Sequence, residues 1–139
     1  HDKFVLKKSH VLGATITKVM TAKKEIEDWG KGDETRDFLY VSDLVNLISL
    51  IIKKQKSKFK IYNCGSDKGI KIIDLVKLII DISNKRIKIK KNKSAPSINF
   101  NLILDSTKAR KELGWKPKVN LRVGIRKTIF WWKKNFTLK

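Results

Sequence analysis

Few side chains in this sequence are of types that do chemistry near neutral pH, so their placement is informative. His10 stands in a Ser-His-Val triplet. An imidazole can give or take a proton there, because its ordinary pKa lies close to neutrality. Arg36 and Asp37 stand in "WGKGDETRDFLYVSDL" (29–44), between a glycine-punctuated turn and an apolar run. A planar, permanently charged guanidinium held at a strand start can bond two phosphoryl oxygens at once. Asp37 could orient that fork, and a purely structural pairing of Arg36 with Asp37 is the competing reading.

Other chemistries are excluded by spacing. Neither Tyr40 nor Tyr62 has a lysine four positions later, so no Tyr-x-x-x-Lys proton-transfer pair is present. Gly30 and Gly32 are not followed by the third glycine and helix opening of a dinucleotide-binding fingerprint. His1 and His10 are not at a zinc-helix spacing, and the single Cys64 excludes a cysteine cage or an internal disulfide framework. No metal is expected.

The elements that must carry these residues alternate along the chain. Residues 9–22 read as a helix capped by Ser9, with Val11, Ala14, Ile16 and Val19 apolar. Strands are expected at 25–29 and 35–41. A helix capped by Ser42 or Asp43 then follows, with Leu44, Leu47, Ile48 and Ile51 at helical spacing; it is apolar nearly all round, which predicts burial. "KFKIYN" (58–63) alternates like a strand, and "NCGSDKG" (63–69) is a turn. A helix over 70–83 groups Ile72, Leu75, Val76 and Ile79, a strand follows at 86–90, and 91–101 is a loop around Pro96. Ser106 caps a short helix ended by Gly114 and Pro117, and a last helix from Leu121 aligns Ile125, Ile129 and Trp132. This order defines an α/β domain.

Composition sets the remaining bounds. The 139 residues suffice for one domain with a core, and 41% of them are apolar. Lys and Arg number 33 against 13 Asp and Glu, a net charge of +20. Such charge can mark an anionic partner, but the lysines are spread through every segment and no nucleic-acid-reading motif accompanies them. Apolar runs such as "LVNLISLII" (44–52) are too short to span a bilayer, and a single cysteine suits a reducing compartment. A soluble, cytoplasmic protein is expected.

Three stretches in order, "WGKGDETRDFLYVSDL", "YNCGSDKGIKIIDLVKLI" and "LDSTKARKELGWKPKVNLRVGIRKTIFWW", carry a resemblance. They are similar to the C-terminal half of the NAD(P)-dependent sugar-nucleotide epimerases and dehydratases of the extended short-chain dehydrogenase/reductase family. The opening "HDKFVLKKSHVLGATITKVMTAK" resembles the GDP-L-fucose synthase branch in particular. The resemblance implies an N-terminal Rossmann domain that binds NAD or NADP and supplies the Ser/Thr-Tyr-Lys group. Neither signature occurs in residues 1–139, so the whole chain is expected to be a single substrate-binding portion, a fragment inactive alone.

The same resemblance implies roles. Arg36 would touch the diphosphate of a nucleotide-diphosphate sugar, Trp29 would lie against its base or sugar, and Lys18 would contact substrate. His10 would be the general acid that protonates a carbanion beside a 4-keto group, opposite a cysteine that Cys64 does not match. The competing readings are a core tryptophan, a solvated lysine and a histidine that only begins a helix. "KSAPSI" (93–98) departs from the acidic or arginine-containing loop usual in the family. Asp105, Trp115 and Pro117 read as cap, packing residue and helix stop. The partners implied are the nucleotide sugar, the Rossmann half and, for a full-length enzyme, a second subunit.

A different class, a basic nucleic-acid-binding module or a non-functional remnant, is separable by experiment. With charge that is mainly compositional, duplex DNA should bind weakly, without sequence preference, and with affinity that falls steeply as salt rises. Anisotropy titrations at two salt concentrations check this; nanomolar, sequence-selective binding at physiological salt would establish the nucleic-acid reading instead.

Overall fold

The computed structural model describes residues 3–29, 32–92 and 101–136. Helices α1 (Val11–Thr21), α2 (Val41–Lys54), α3 (Ile72–Ser83), α4 (Thr107–Leu113) and α5 (Leu121–Phe136) alternate with strands β1 (Glu25–Trp29), β2 (Thr35–Asp37), β3 (Gly69–Lys71) and β4 (Lys88–Asn92). The expected α/β class is what forms. Contacts divide the chain into two compact units, one of His1–Glu34, Lys71–Asn99 and Ile125–Lys139, the other of Thr35–Ile70 and Phe100–Gly124.

In the first unit β1 and β4 pair in parallel, with Ile26 opposite Ile89, Glu25 opposite Lys88 and Glu27 opposite Lys90. Apolar and charged residues therefore alternate together across the pair, as a half-buried sheet requires. α1 and α3 pack through Ile16, Val19, Leu75, Val76 and Ile79, all nearly or fully inaccessible to solvent. The α3 face is the one its periodicity predicts. The helix ends at Asn84, whose left-handed φ of 55° stops further helical bonding. Ile125, Ile129 and Trp132 of α5 are buried as expected, and the Trp132 indole donates to the Thr17 hydroxyl at 3.3 Å. Phe4, itself buried, lies 5.5 Å from the Trp131 ring and 5.7 Å from that of Phe136.

The second unit is built around Leu47, Ala109, Leu113 and Trp115, with Leu39, Leu50, Ile51, Tyr62 and Cys64 packed against them. Buried Asp43 connects its parts: the carboxylate accepts from Val119 N at 3.0 Å, and the backbone carbonyl accepts from the Trp115 indole at 3.0 Å. β2 pairs with β3 and bridges to Leu102, where Leu102 N donates to Thr35 O and Asp37 N to Leu102 O, both at 3.0 Å. α4 stops at Gly114, with φ of 70°, and Lys54 Nζ donates to the Leu113 carbonyl at 2.8 Å.

Several expected details differ. α1 is entered through His10 and not Ser9, whose hydroxyl instead donates to Lys3 O and Val5 O at 2.6 and 2.8 Å. β2 ends at Asp37, and α2 begins at Val41 after Tyr40 because Asp43 is drawn into the first turn by its bonds to Val119 and Trp115. β4 runs two residues later than expected, in register with β1. Residues 58–63 belong to no strand, for lack of a pairing partner among the described residues. α2 is not well buried either: only Asp43 and Leu47 are, while Val41, Val45, Ile48 and Ile52 are exposed, because the described core that packs on the helix gathers on its Leu47 side. The "KSAPSI" stretch lies outside the described residues.

Lys85 closes the C-terminal end of α1. Its ammonium donates to Val19 O, Met20 O and Ala22 O at 3.0, 2.7 and 2.6 Å, satisfying carbonyls that the helix leaves unpaired and placing positive charge at the negative end of the dipole. Replacing Lys85 with Met keeps the stem and removes the charge. The variant should lose about 1–2 kcal/mol of stability, read from urea unfolding of both proteins.

Candidate functional site

The residues with chemical potential fall into both units. In the first, His10 is the exposed N-cap of α1; its backbone is extended, its carbonyl accepts the first helical bond from Ala14 N at 2.9 Å, and its imidazole forms no cap. Lys18 lies in the last turn of α1, half-buried, and its ammonium donates to Glu27 O of β1 at 3.3 Å. Trp29 is the last residue of β1, opposite Asn92. The fold thus brings Lys18 against the strand that ends in Trp29, with His10 at the other end of the same helix.

Arg36 belongs to the second unit. It is the half-buried central residue of β2, bridged to Leu102, and its guanidinium donates from Nη1 to Thr35 O at 3.0 Å. Asp37 does something sequence reading missed. Its carboxylate accepts from Ser66 N at 2.9 and 3.0 Å, from the Ser66 hydroxyl, and from Leu104 N at 3.3 Å. Charge-assisted bonds to main-chain donors are strong and directional. Asp37 therefore joins the strand that carries Arg36 to the 63–69 turn and to the segment entering α4.

A second clamp holds the same turn. The Ser106 side chain is fully buried; its hydroxyl accepts from Gly65 N at 2.8 Å and donates to Gly65 O at 3.2 Å. Ser106 therefore occupies the N-cap position of α4 without capping it, and Asp105 caps instead, accepting from Thr107 N at 2.8 Å. Hydrogen bonds from Thr107 hold the Asp105 carboxyl below its usual range. Asp67, at a left-handed φ of 58°, accepts from Ser106 N at 2.7 Å and pairs with Arg110. Asp67 and Ser106 stood in the sequence only as turn and cap formers; their partners lie about forty residues away, beyond any local pattern.

Cys64 is ill suited to act as a base. Burial, and then the carboxylates of Asp43 and Asp37, push its thiol up and disfavour the thiolate. Among the described residues no cluster of His, Cys, Asp and Glu could hold a metal ion, and no helix is long and apolar enough to cross a membrane. A Cβ on Gly65 would meet Asp37 and Leu104, and one on Gly69 would meet Thr35 and Ile103, so both glycines permit a close approach of chain segments.

This α/β chain is of the extended short-chain dehydrogenase/reductase family, the class of nucleotide-sugar epimerases, dehydratases and reductases. More narrowly, the chain belongs to the GDP-mannose 4,6 dehydratase family, whose sequence pattern matches residues 3–128. It is 33% identical over 138 residues to a probable GDP-L-fucose synthase 1 of Oryza sativa subsp. japonica, covering 96% of this chain and 42% of that protein. A GDP-L-colitose synthase of Yersinia pseudotuberculosis is 33% identical over 132 residues, covering 92% and 42%. Among solved structures, the UDP-glucose 4-epimerase of Thermotoga maritima with UDP-glucose is 30% identical with a TM-score of 0.73, covering 95% of this chain and 41% of that one. The chain spans about two fifths of the length of the curated relatives it matches.

The clamp predicts its own disruption. In Gly65→Ala the new methyl would collide with the Asp37 carboxylate and lie 2.7 Å from Leu104 Cβ, which cannot swing aside as a flexible side-chain tip can. The substitution should destabilise the protein by about 1–3 kcal/mol, measured as a lower urea midpoint with unchanged slope.

Proposed function

We propose that this chain is the nucleotide-sugar-binding part of an NAD(P)-dependent epimerase, dehydratase or reductase. The reaction is of the GDP-L-fucose synthase type, epimerisation and reduction of a 4-keto-6-deoxy sugar nucleotide. Family membership over residues 3–128 sets the class. The observation that carries the reading is the placement of Arg36, half-buried in β2 beside a carboxylate clamped to three main-chain and side-chain donors. A guanidinium on so constrained a strand can meet a diphosphate with little loss of conformational freedom on binding.

In this reading Arg36 holds the diphosphate. Trp29 and Lys18 contact the base or sugar, and His10 is the proton donor to the carbon beside the ketone. The exposure of His10 at the N-terminus of α1 supports access to substrate. NAD or NADP supplies and removes hydride when bound, held by a region that the relatives possess and this chain does not span. Without that region the chain is expected to be inactive, and the completed enzyme is expected in the cytoplasm.

In the chain completed by that region, Arg36→Ala should weaken nucleotide-sugar binding by about 2 kcal/mol, or about thirtyfold, and leave NAD(P) affinity nearly unchanged. Arg36→Lys should recover part of the loss, since an ammonium keeps the charge but not the paired donors. Calorimetric titration and melting temperature, taken on the same samples, check it. A lowered melting temperature with unchanged sugar-nucleotide affinity would assign Arg36 to structure.

A further inference from the structure

Lys and Arg are spread along the chain, but their counter-charges are not. All 13 Asp and Glu precede Leu113, and residues 113–139 contain none. This stretch includes α5, whose two sides differ. Ile125, Ile129 and Trp132 are buried, whereas Phe130 faces the other way and is 72% exposed. The positions three and four residues before and after Phe130, its neighbours on the helix surface, are Arg126, Lys127, Lys133 and Lys134, all exposed. Among the described residues Arg126, Lys133 and Lys134 form no ion pair.

The fold itself gains nothing from this arrangement. Like charges at helical spacing repel, and an aromatic ring left in water contributes no burial. Both effects reverse against a surface that is negative outside and apolar beneath, which is the layering of a bilayer containing anionic lipid. A nucleic-acid duplex would complement the cations but offer no open base face to Phe130, and no base-reading motif accompanies the charge. Charge complementarity and the exposed ring together select lipid. A second apolar edge borders the same face. The buried Phe4 ring lies 5.5 Å from that of Trp131 and 5.7 Å from that of Phe136, which brings exposed Val5 and Leu6 to the last turns of α5, where Phe136 is also exposed.

We propose that the outward face of α5 docks on an anionic lipid bilayer, with Arg126, Lys133 and Lys134 against the headgroups and Phe130 in the boundary between headgroups and acyl chains. Lys127 adds to their field. Ile125, Ile129 and Trp132 stay in the core, so attachment is peripheral and reversible. Each Lys or Arg near such a surface strengthens binding about fivefold, an effect that fades within about 8 Å at physiological salt. The proposal is independent of the proposed function, since it uses neither Arg36 nor a nucleotide sugar.

The test is flotation of this chain with vesicles of equal parts phosphatidylserine and phosphatidylcholine, beside vesicles of phosphatidylcholine alone. Binding to the first that weakens as salt rises, and binding to the second that is weaker by about tenfold or more, are expected. Lys133→Gln with Lys134→Gln should lower partition about tenfold or more, and Phe130→Gln about threefold or more. Glutamine suits a helix and all three side chains are exposed, so melting temperatures should not change. Lys53→Gln with Lys56→Gln removes the same charge from exposed positions in and just after α2, and should bind within about twofold of the wild type. The proposal is overturned by equal losses in the two double variants, which would show charge acting without a face, or by a Phe130→Gln variant that partitions like the wild type. Equal binding to the neutral vesicles overturns it too, as does a preference for single-stranded RNA over the vesicles in competition that is lost with Lys133 and Lys134.

Discussion

The second unit depends on one carboxylate. Asp37 collects the Ser66 amide and hydroxyl and the Leu104 amide, and so adds to the few ladder bonds that β3 and Leu102 give a three-residue strand. Short strands are weak because few ladder bonds offset the entropy of ordering them. The ion-to-amide bonds compensate, and they do so immediately next to Arg36. A strand end that would otherwise fray becomes a rigid mount for a cation. Ser106 and Asp67 hold the same turn through further bonds, so the mount does not rest on Asp37 alone.

How much of this was legible in the sequence follows from the range of each interaction. The α3 face and the Ile125, Ile129 and Trp132 stripe could be read because an amphipathic helix writes its burial into a 3.6-residue period. The family was legible from three motifs in order, and the family match over residues 3–128 agrees. The Asp37 clamp was not. Its partners stand 29 and 67 residues away, and an aspartate beside an arginine suggests first the local pairing.

Misread boundaries have the same origin. The start of α2 was set too late because Asp43 looks like a cap, whereas its carboxylate is claimed by Val119, 76 residues on. "KFKIYN" has the alternation of a strand, but hydrogen-bonded pairing is a property of two segments and cannot be read from one. The burial of α2 was overestimated for a related reason. Hydrophobicity reports what a surface requires, and only the tertiary contacts report what covers it.

The aromatic cluster of the first unit has a consequence for the order in which the protein is made. Phe4 lies against Trp131 and Phe136, and the unit takes its pieces from the beginning, middle and end of the chain. Contacts of such large sequence separation slow folding, because the intervening loop must be closed before they contribute. During synthesis α1 can pack on α3 and β1 can pair with β4 first, and the contacts of Phe4 with Trp131 and Phe136 form only once α5 has been made.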